Sequence, residues 1–224
     1  MSRSVAIVLA AGSGSRMGSE VPKQYLLLKE KPVLYYSLET FQSCEEVDEI
    51  LVVANPSHKD KIINYGFDKI SNIIPGGKER YDSVYQGLLA LQQNAPDYVL
   101  IHDGARPFAD RELILKTLAG AKEYGAAAAA VPVTDTIRVS DEKGFGAETP
   151  DRRTLFSMQT PQTFAYELIL EAYQWLLTHP DQLPVTDDAE VLYKFSGKKT
   201  FLSEGSYRNR KITTPEDLAI AEVL

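Results

Sequence analysis

The residues best suited to bind a charged ligand lie near the start of the chain, in the segment LAAGSGSRMGSEVPKQYL at positions 9–26. Gly12 and Gly14 allow backbone N–H groups to turn inward, as they do in loops that cradle anions. Arg16 adds a planar cationic fork and Lys23 a mobile point charge. A surface turn with two solvated cations has a similar composition, so the loop alone favours phosphate binding only modestly.

The loop matches neither of the two common phosphate-binding motifs. It has no Gly-Lys pair followed by Ser or Thr, which the P-loop requires. The dinucleotide motif Gly-x-Gly-x-x-Gly begins correctly, but Met17 occupies its third glycine position and Gly18 comes one residue late. The second predicted strand also ends in VANPS, where nicotinamide enzymes carry an acidic residue. A nicotinamide oxidoreductase is therefore a less favoured alternative.

Two later segments strengthen the case for a phosphate site. PGGKERYDSV, at 75–84, is a second Gly-rich loop and offers the Ser83 hydroxyl to a ligand. IHDGARPF, at 101–108, places Asp103 at the end of an apolar run, with Arg106 close behind. A carboxylate in that position suits Mg²⁺, which takes few protein ligands and keeps several waters. A turn-forming Asp and a salt bridge at the sheet rim are the structural alternatives for Asp103 and Arg106.

Short apolar runs alternate with helical periodicity over the first part of the chain. Predicted strands are VAIVL (5–9), EILVVA (49–54), NII (72–74), YVLIH (98–102) and AAAAAVPV (126–133). Amphipathic helices are indicated by Leu34, Leu38 and Phe41, by Val84, Leu88 and Leu91, and by Leu113, Ile114, Leu118 and Ala121. The alternation predicts an α/β fold with a mainly parallel sheet, whose ligands bind at the carboxyl ends of the strands.

The second half of the chain has a different pattern, which we interpret as part of one domain over 1–224. A β-hairpin is expected within an arm at about 135–160, either a surface hairpin or one that reaches a second copy of the chain. A helix is expected over 165–179, strands are expected at KTFLSEG and YRNRKI, and the Thr214-Pro215-Glu216-Asp217 sequence predicts a final helix.

Composition limits the partners and the compartment. The net charge of −7 argues against nucleic acid or an anionic membrane as the main partner, although a local basic pocket remains compatible with it. The single cysteine, Cys44, cannot form an internal disulfide, which favours a reducing compartment. Arg3 and the following VAIVLAA imitate a signal peptide, but a buried first strand fits them better. We expect a cytoplasmic protein without membrane spans.

Several motifs, taken together and in order, resemble the 2-C-methyl-D-erythritol 4-phosphate cytidylyltransferases of the non-mevalonate isoprenoid pathway. The resemblance runs from about residue 5 to 224 and is carried by LAAGSGSRMG, PKQYL, GGKERYDSV, HDGARPF, VPVTDTI, TPDRRTLFSMQTPQTF, TDDAEVL and GSYRNRKITTPEDLAIAE. It implies a Rossmann-like nucleotidyltransferase fold, a Mg²⁺-dependent reaction with CTP, and a homodimer formed by exchanged arms.

The resemblance also implies roles for individual residues. Arg16 and Lys23 would contact the CTP phosphates and stabilise the transition state, and Asp103 would hold the metal. The nucleotide would be bound by Leu9, Ala10, Ala11, Gly12, Gly77, Ser83 and Gly104. The acceptor phosphate would be gripped by Lys211 and by Arg152 from the partner chain, with the choice between Arg152 and Arg153 left open. Asp103 and Arg106 would also bind substrate, and the acceptor polyol would be surrounded by Thr136, Thr160, Thr186 and Asp187.

Three alternatives to this interpretation remain besides the nicotinamide enzyme. Ribitol-5-phosphate cytidylyltransferases share the PKQ, HD-x-x-RPF and TPQ-x-F elements. They tend to carry Tyr-Gln-Gly-Gln before TPQ, where this chain has Phe156-Ser157-Met158-Gln159. A sugar-1-phosphate nucleotidyltransferase uses a similar basic Gly-rich loop, and a non-catalytic nucleotide-binding module would bind without releasing pyrophosphate. We favour methylerythritol phosphate as the acceptor.

The loop cations lead to a first prediction. Replacing either Arg16 or Lys23 with Ala should lower turnover by about 10²–10⁵-fold, because each neutralises charge that develops on the triphosphate. Folding should survive, since loop cations contribute little to a core. Steady-state kinetics and thermal unfolding of each variant check both statements, and near-normal turnover in Lys23→Ala would remove that residue from the mechanism.

Overall fold

The computed structural model describes residues 2–12 and 21–224, and its centre is a seven-stranded sheet. Its strands are β1 Ser4–Ala10, β4 Glu49–Ala54, β5 Ile70–Ile74, β6 Tyr98–Asp103, β7 Ala126–Pro132, β10 Phe156–Ala165 and β11 Phe201–Glu204. Across the sheet they lie in the order β11-β7-β10-β6-β1-β4-β5. Two small hairpins complete the β structure of the described residues, β2 Leu27–Leu28 with β3 Lys31–Pro32 and β8 Val139–Ser140 with β9 Gly146–Glu148.

The sheet is mostly parallel and has the strand order of Rossmann-like folds around β1. Strand β1 runs parallel to both β4 and β6, and β10 is antiparallel to its neighbours β6 and β7. The register places Leu9, near the end of β1, opposite Asp103, the last residue of β6. Chain order reverses between these two strands, so a crevice opens at their carboxyl ends. The predicted α/β fold class is confirmed.

Seven helices flank the sheet within the described residues. They are α1 Val33–Ser43, α2 Lys59–Ile63, α3 Arg80–Ala90, α4 Arg111–Tyr124, α5 Tyr166–Thr178, α6 Asp188–Ser196 and α7 Pro215–Val223. Val5 and Ile7 of β1 pack on the side of α3, α5 and α6, whereas Ala6 and Val8 pack on the side of α1 and α4. Because successive side chains of a strand point to opposite faces, a continuous apolar run serves both cores. None of the described helices is long and apolar enough to cross a membrane.

The structure differs from the sequence predictions in the second half of the chain. The ten-residue strand β10, which has mostly buried residues, was not among the predicted strands. The YRNRKI segment, expected as a strand, is instead a turn followed by irregular chain, and the Asn209 backbone N–H bonds to Ser206 within that turn. The predicted final helix is confirmed, with Thr214 as its N-cap.

The arm lies between β7 and β10. It contains the β8–β9 hairpin, and its residues 134–149 are all exposed. The last residues of the range 135–160, from Phe156 onward, already belong to β10. Large apolar side chains on the arm are exposed, including Ile137, Val139 and Phe145.

The N-terminal cap of α7 fastens the segment that precedes it. Asp217 accepts hydrogen bonds from the backbone N–H groups of Thr213 and Thr214 and from the Thr213 hydroxyl, at 2.6–3.0 Å. Partial burial acts to raise the pKa of Asp217, but these hydrogen bonds outweigh it and lower the pKa from 3.8 to about 2. The ionised carboxylate therefore stabilises the chain just after Lys211.

Replacing Asp217 with Asn should destabilise the protein by about 1 kcal/mol at neutral pH, because a charged acceptor becomes a neutral one. The folded-state pKa lies below the unfolded one, so this stabilisation is present above pH 3.8 and is lost as pH falls toward about 2. Urea denaturation across this range should show the difference between the two proteins shrinking. Glu216→Gln, an exposed acid in the same helical turn, is the control, and a pH-independent difference would contradict the assignment.

Candidate active site

A cavity of about 400 Å³ opens at the carboxyl ends of β1 and β6. The residues expected to bind a nucleotide that line it are Leu9, Ala10, Ala11, Gly12, Gly77 and Ser83. Lys23, Asp103 and Lys211 line it as well. The structure therefore brings together segments that are far apart in sequence and were predicted to share one pocket. Arg16 and Gly14 lie outside the described residues.

Side chains from the PKQYL segment hold the backbone that lines this cavity at the end of β1. The Gln24 amide donates to the carbonyl oxygens of Ala10 at 2.7 Å and Gly12 at 2.8 Å. The Tyr25 hydroxyl donates to the same Ala10 carbonyl at 3.2 Å. Both side chains are nearly fully buried. They hold the end of β1 in place, a role that the sequence reasoning did not assign to them.

The second Gly-rich loop leads into the N-terminus of α3 at the cavity. Glu79 and Asp82 form a reciprocal capping box around the first turn of this helix. Ser83 accepts a hydrogen bond from the Gly77 backbone N–H at 3.1 Å and donates to the Glu79 carbonyl at 3.2 Å. A Cβ on Gly77 would lie 2.2 Å from the Asp82 Cβ, so this tight turn requires glycine. The helix end adds partial positive charge to the cavity wall.

Asp103 is the centre of a charge cluster between the strands and the loops. Its carboxylate lies 2.8 Å from Lys211 Nζ, 3.1 Å from Arg80 Nε and 3.7 Å from Arg106 Nε. Burial acts to raise the pKa of Asp103, but these three cations outweigh it and hold the pKa well below its ordinary value. The carboxylate is therefore ionised, with both oxygens engaged.

Arg80 and Asp188 belong to this cluster but were missed by the sequence reasoning. The Arg80 guanidinium binds both oxygens of Asp188, at 2.9 and 2.8 Å, and the Asp188 side chain is fully buried. The Tyr173 hydroxyl donates to Asp188 at 2.5 Å. Both residues lie in motifs of the family resemblance, GGKERYDSV and TDDAEVL. In those motifs, roles were predicted only for neighbouring residues such as Ser83 and Asp187. The position of Arg80 just after two glycines was the one feature of the sequence that could have indicated its role.

A second cavity of about 180 Å³ adjoins the first, and Arg80 lines both. The predicted substrate-binding residues Arg106, Thr160, Thr186 and Asp187 line this second cavity. The Thr160 hydroxyl accepts from the Asp103 backbone N–H and contacts His102 Nδ1, each at 3.1 Å. The Thr186 hydroxyl donates to Glu190 at 2.7 Å. These hydroxyls take part in the scaffold of the cavity.

Asp187 and Arg106 are held firmly within the second cavity. Asp187 caps α6 and accepts from the Gln162 amide at 2.9 Å, and burial raises its pKa. Arg106 donates to the carbonyl oxygens of Asn209 at 2.8 Å and Met158 at 3.4 Å.

Among the predicted site residues that the structure describes, three line neither cavity. Gly104 is buried, and a Cβ there would lie 2.7 Å from Leu34 Cδ1. Thr136 and Arg152 lie on the exposed arm, and Arg152 donates to the Thr134 carbonyl at 2.8 Å.

The neighbouring arginine, Arg153, pairs with Asp151 at 2.7 Å and is mostly exposed. Arm residues therefore stand apart from the two cavities of their own chain.

A Rossmann-like sheet with a Gly-rich, cation-lined cavity at its switch point defines a protein of the nucleotide-binding α/β class. Comparison with known proteins identifies the family. The sequence model of the 2-C-methyl-D-erythritol 4-phosphate cytidylyltransferases matches residues 4–224. The chain belongs to this family, which confirms the main interpretation of the motifs, and it is a cytidylyltransferase.

Relatives and crystal structures agree with this assignment. A 2-C-methyl-D-erythritol 4-phosphate cytidylyltransferase of Clostridium botulinum is 47% identical over 226 residues, covering 99% of this chain and 97% of the relative. The Lachnospira eligens protein of the same name is 46% identical, with 97% of each chain covered. The crystal structure of 4-diphosphocytidyl-2C-methyl-D-erythritol synthase from Anaerococcus prevotii is 33% identical with a TM-score of 0.88, covering 99% of this chain and 95% of that one.

Proposed function

We propose that this chain transfers a cytidylyl group from CTP to 2-C-methyl-D-erythritol 4-phosphate in a Mg²⁺-dependent reaction that releases pyrophosphate. Family membership supports the two substrates. The proposal that the reaction takes place at this site rests on the Asp103 cluster, which lies where a cation-lined nucleotide cavity meets a second, polar cavity. Two anionic substrates bound side by side in these cavities would meet next to fixed positive charges.

The chemistry requires positioning and charge neutralisation more than covalent help. An oxygen of the acceptor phosphate attacks the α-phosphorus of CTP, and the bond from that phosphorus to the bridging oxygen breaks as pyrophosphate leaves. The attacking phosphate is already ionised, so no side chain needs to remove a proton. Lys23, Arg16 and the α3 N-terminus would neutralise the triphosphate, and Lys211 would hold the acceptor phosphate.

The residues present fit a magnesium ion at Asp103. Its carboxylate is ionised and lines the first cavity, where a hard oxygen would be shared between the ion and the cations already beside it. The described residues contain no group of three His, Cys, Asp or Glu side chains placed to hold a metal. A single carboxylate with substrate phosphates and waters is the usual arrangement for Mg²⁺. When bound there, Mg²⁺ would neutralise the triphosphate charge and stabilise the departing pyrophosphate.

We further propose that the active enzyme is a cytoplasmic homodimer. Thr136 and Arg152 stand on an arm away from the cavities of their own chain, where a second copy could receive them. Exposed Ile137, Val139 and Phe145 on the same arm give it an apolar surface to bury. The buried free thiol of Cys44 is compatible with a reducing compartment.

The acceptor is tested by measuring pyrophosphate release from CTP with methylerythritol phosphate and with ribitol 5-phosphate. We expect kcat/KM to be higher with methylerythritol phosphate. Unpaired polar groups in a mismatched complex can discriminate by about 10⁴-fold, whereas accommodating one methyl group gives only about 10–200-fold. Equal or higher kcat/KM with ribitol 5-phosphate would overturn the acceptor assignment. If no pyrophosphate is released with either acceptor, the proposed function is wrong.

The metal role of Asp103 is tested by the Asp103→Asn variant. We expect a steep fall in kcat and a shift of the Mg²⁺ titration to higher concentration, because the amide is neutral and offers one hard oxygen. Asp110→Asn, which alters the N-cap of α4 outside the cavities, is the matched control. An unchanged Mg²⁺ titration in a folded Asp103→Asn protein would show that the carboxylate does not hold the metal.

A further inference from the structure

The ion pair between partly exposed Arg80 and fully buried Asp188 joins two helix N-termini beside the reaction site. Arg80 is the first residue of α3, and Asp188 is the first residue of α6. The Asp188 backbone N–H is fixed in turn by the Gln162 side-chain oxygen at 3.1 Å. The two residues are 108 positions apart in sequence, so the contact depends on the tertiary fold. It places a guanidinium group with defined orientation at the wall between the two cavities.

The division of the Arg80 hydrogen bonds indicates what Asp188 contributes. Asp188 binds both Nη atoms, and only Nε is directed to Asp103. A guanidinium freed from Asp188 could turn its two-pronged face onto Asp103 and neutralise that carboxylate more fully. Asp188 therefore keeps Arg80 between the cavities and leaves the other oxygen of Asp103 to Lys211 and Arg106.

Arg80 also retains the capacity to contact a ligand. A guanidinium has five N–H donors. Three of them account for the hydrogen bonds that Arg80 makes to Asp103 and Asp188 among the described residues. The side chain is partly exposed and lines both cavities. The remaining donors are available to phosphate oxygens on either side.

Tyr173 supports the position of the Asp188 carboxylate. Its hydroxyl donates to Asp188, which is fully buried, and its own ring is almost fully buried on α5. This bond holds Asp188 from the side away from the cavities, as outer hydrogen bonds hold the ligands of a metal site.

We propose that Asp188 and Tyr173 are positioning residues for cytidylyl transfer: they hold the Arg80 guanidinium as a fixed positive charge that contacts phosphate oxygens of both substrates. The inference rests on the proposed function and adds residues to its mechanism. A purely structural role, in which the pair only joins α6 to α3, would affect stability without acting through Arg80. The two possibilities predict different kinetics.

The chain offers a matched pair of tyrosines for the test. Tyr173 and Tyr166 both lie on α5, both are almost fully buried, and each hydroxyl makes a hydrogen bond. The Tyr166 hydroxyl donates to the Leu88 carbonyl at 2.9 Å, away from the Asp103 cluster. Replacing either with Phe removes one buried hydrogen bond, and the loss of stability should be larger in Tyr173→Phe because its acceptor is a charged carboxylate. We expect kcat to fall in Tyr173→Phe and to stay at the wild-type value in Tyr166→Phe.

Double-variant kinetics test whether Asp188 acts through Arg80. Asp188→Asn should lower kcat by about 10–100-fold, the range found when an outer hydrogen-bonding partner is lost, with a smaller effect on KM for CTP. Arg80→Lys keeps the charge but cannot bridge two carboxylates with one planar group. In the Arg80→Lys background, Asp188→Asn should therefore cause little further loss, because residues that act as a unit are not additive.

Wild-type protein is assayed first for pyrophosphate release from CTP and methylerythritol phosphate. The absence of release there refutes the proposed function, and with it the positioning role that rests on it, before any variant is measured. With an active wild type, multiplicative losses in the double variant overturn the positioning role, as does wild-type kcat in Asp188→Asn. Equal kcat in the two tyrosine variants overturns it as well. If Asp188→Asn fails to fold, the tyrosine pair decides the question.

Discussion

The site depends on one buried carboxylate at the end of a central strand. Asp103 is placed by β6, and the three cations around it come from three different parts of the chain. Arg80 begins α3, Arg106 follows β6, and Lys211 precedes α7. Without the carboxylate, these cations would repel one another at close range in a partly buried space, which is a costly arrangement. The same charge that would hold a metal therefore also holds the walls of the cavity together.

The first half of the fold could be predicted from sequence because its physics is local. Strands such as β1 and β4 are buried on both faces and consist of nearly continuous apolar residues, which few other structures require. Strand β10 lacks this signal. Its buried residues include Gln159, Thr160 and Gln162, whose side chains take part in hydrogen bonds within the fold. A polar segment of this kind is buried only because distant partners satisfy it, and periodicity does not reveal those partners.

The wrong strand prediction at YRNRKI has a related cause. The segment has apolar residues only at its ends, Tyr207 and Ile212. Asn209 between them is fully buried, and its amide donates to the Thr160 carbonyl at 2.8 Å. The site shows the same limit. Residues in Gly-rich loops and at strand ends could be identified from their types and spacing, whereas the Arg80 and Asp188 contact requires a packed α3 and α6. Thr136 and Arg152 could be assigned only through the family resemblance, since their own chain gives them no place in the cavities.

The electrostatics of the site explain how a chain with a net charge of −7 can bind anionic substrates. Charges separated by more than about 8 Å in solution are largely screened, so the cavity responds mainly to the groups that line it. The two cavities together are lined by more cationic than anionic side chains, and an excess of positive charge remains even when Asp188, which binds Arg80, is counted. The cations are Lys23, Lys78, Arg80, Arg106 and Lys211, and the lining carboxylates are those of Glu79, Asp103 and Asp187. Full compensation would remove the attraction for a triphosphate, and no compensation would destabilise the empty cavity. Because the positive charge of the cavities is only partly neutralised by their own carboxylates, an anionic ligand supplies the remaining negative charge. Its binding should therefore also stabilise the folded protein.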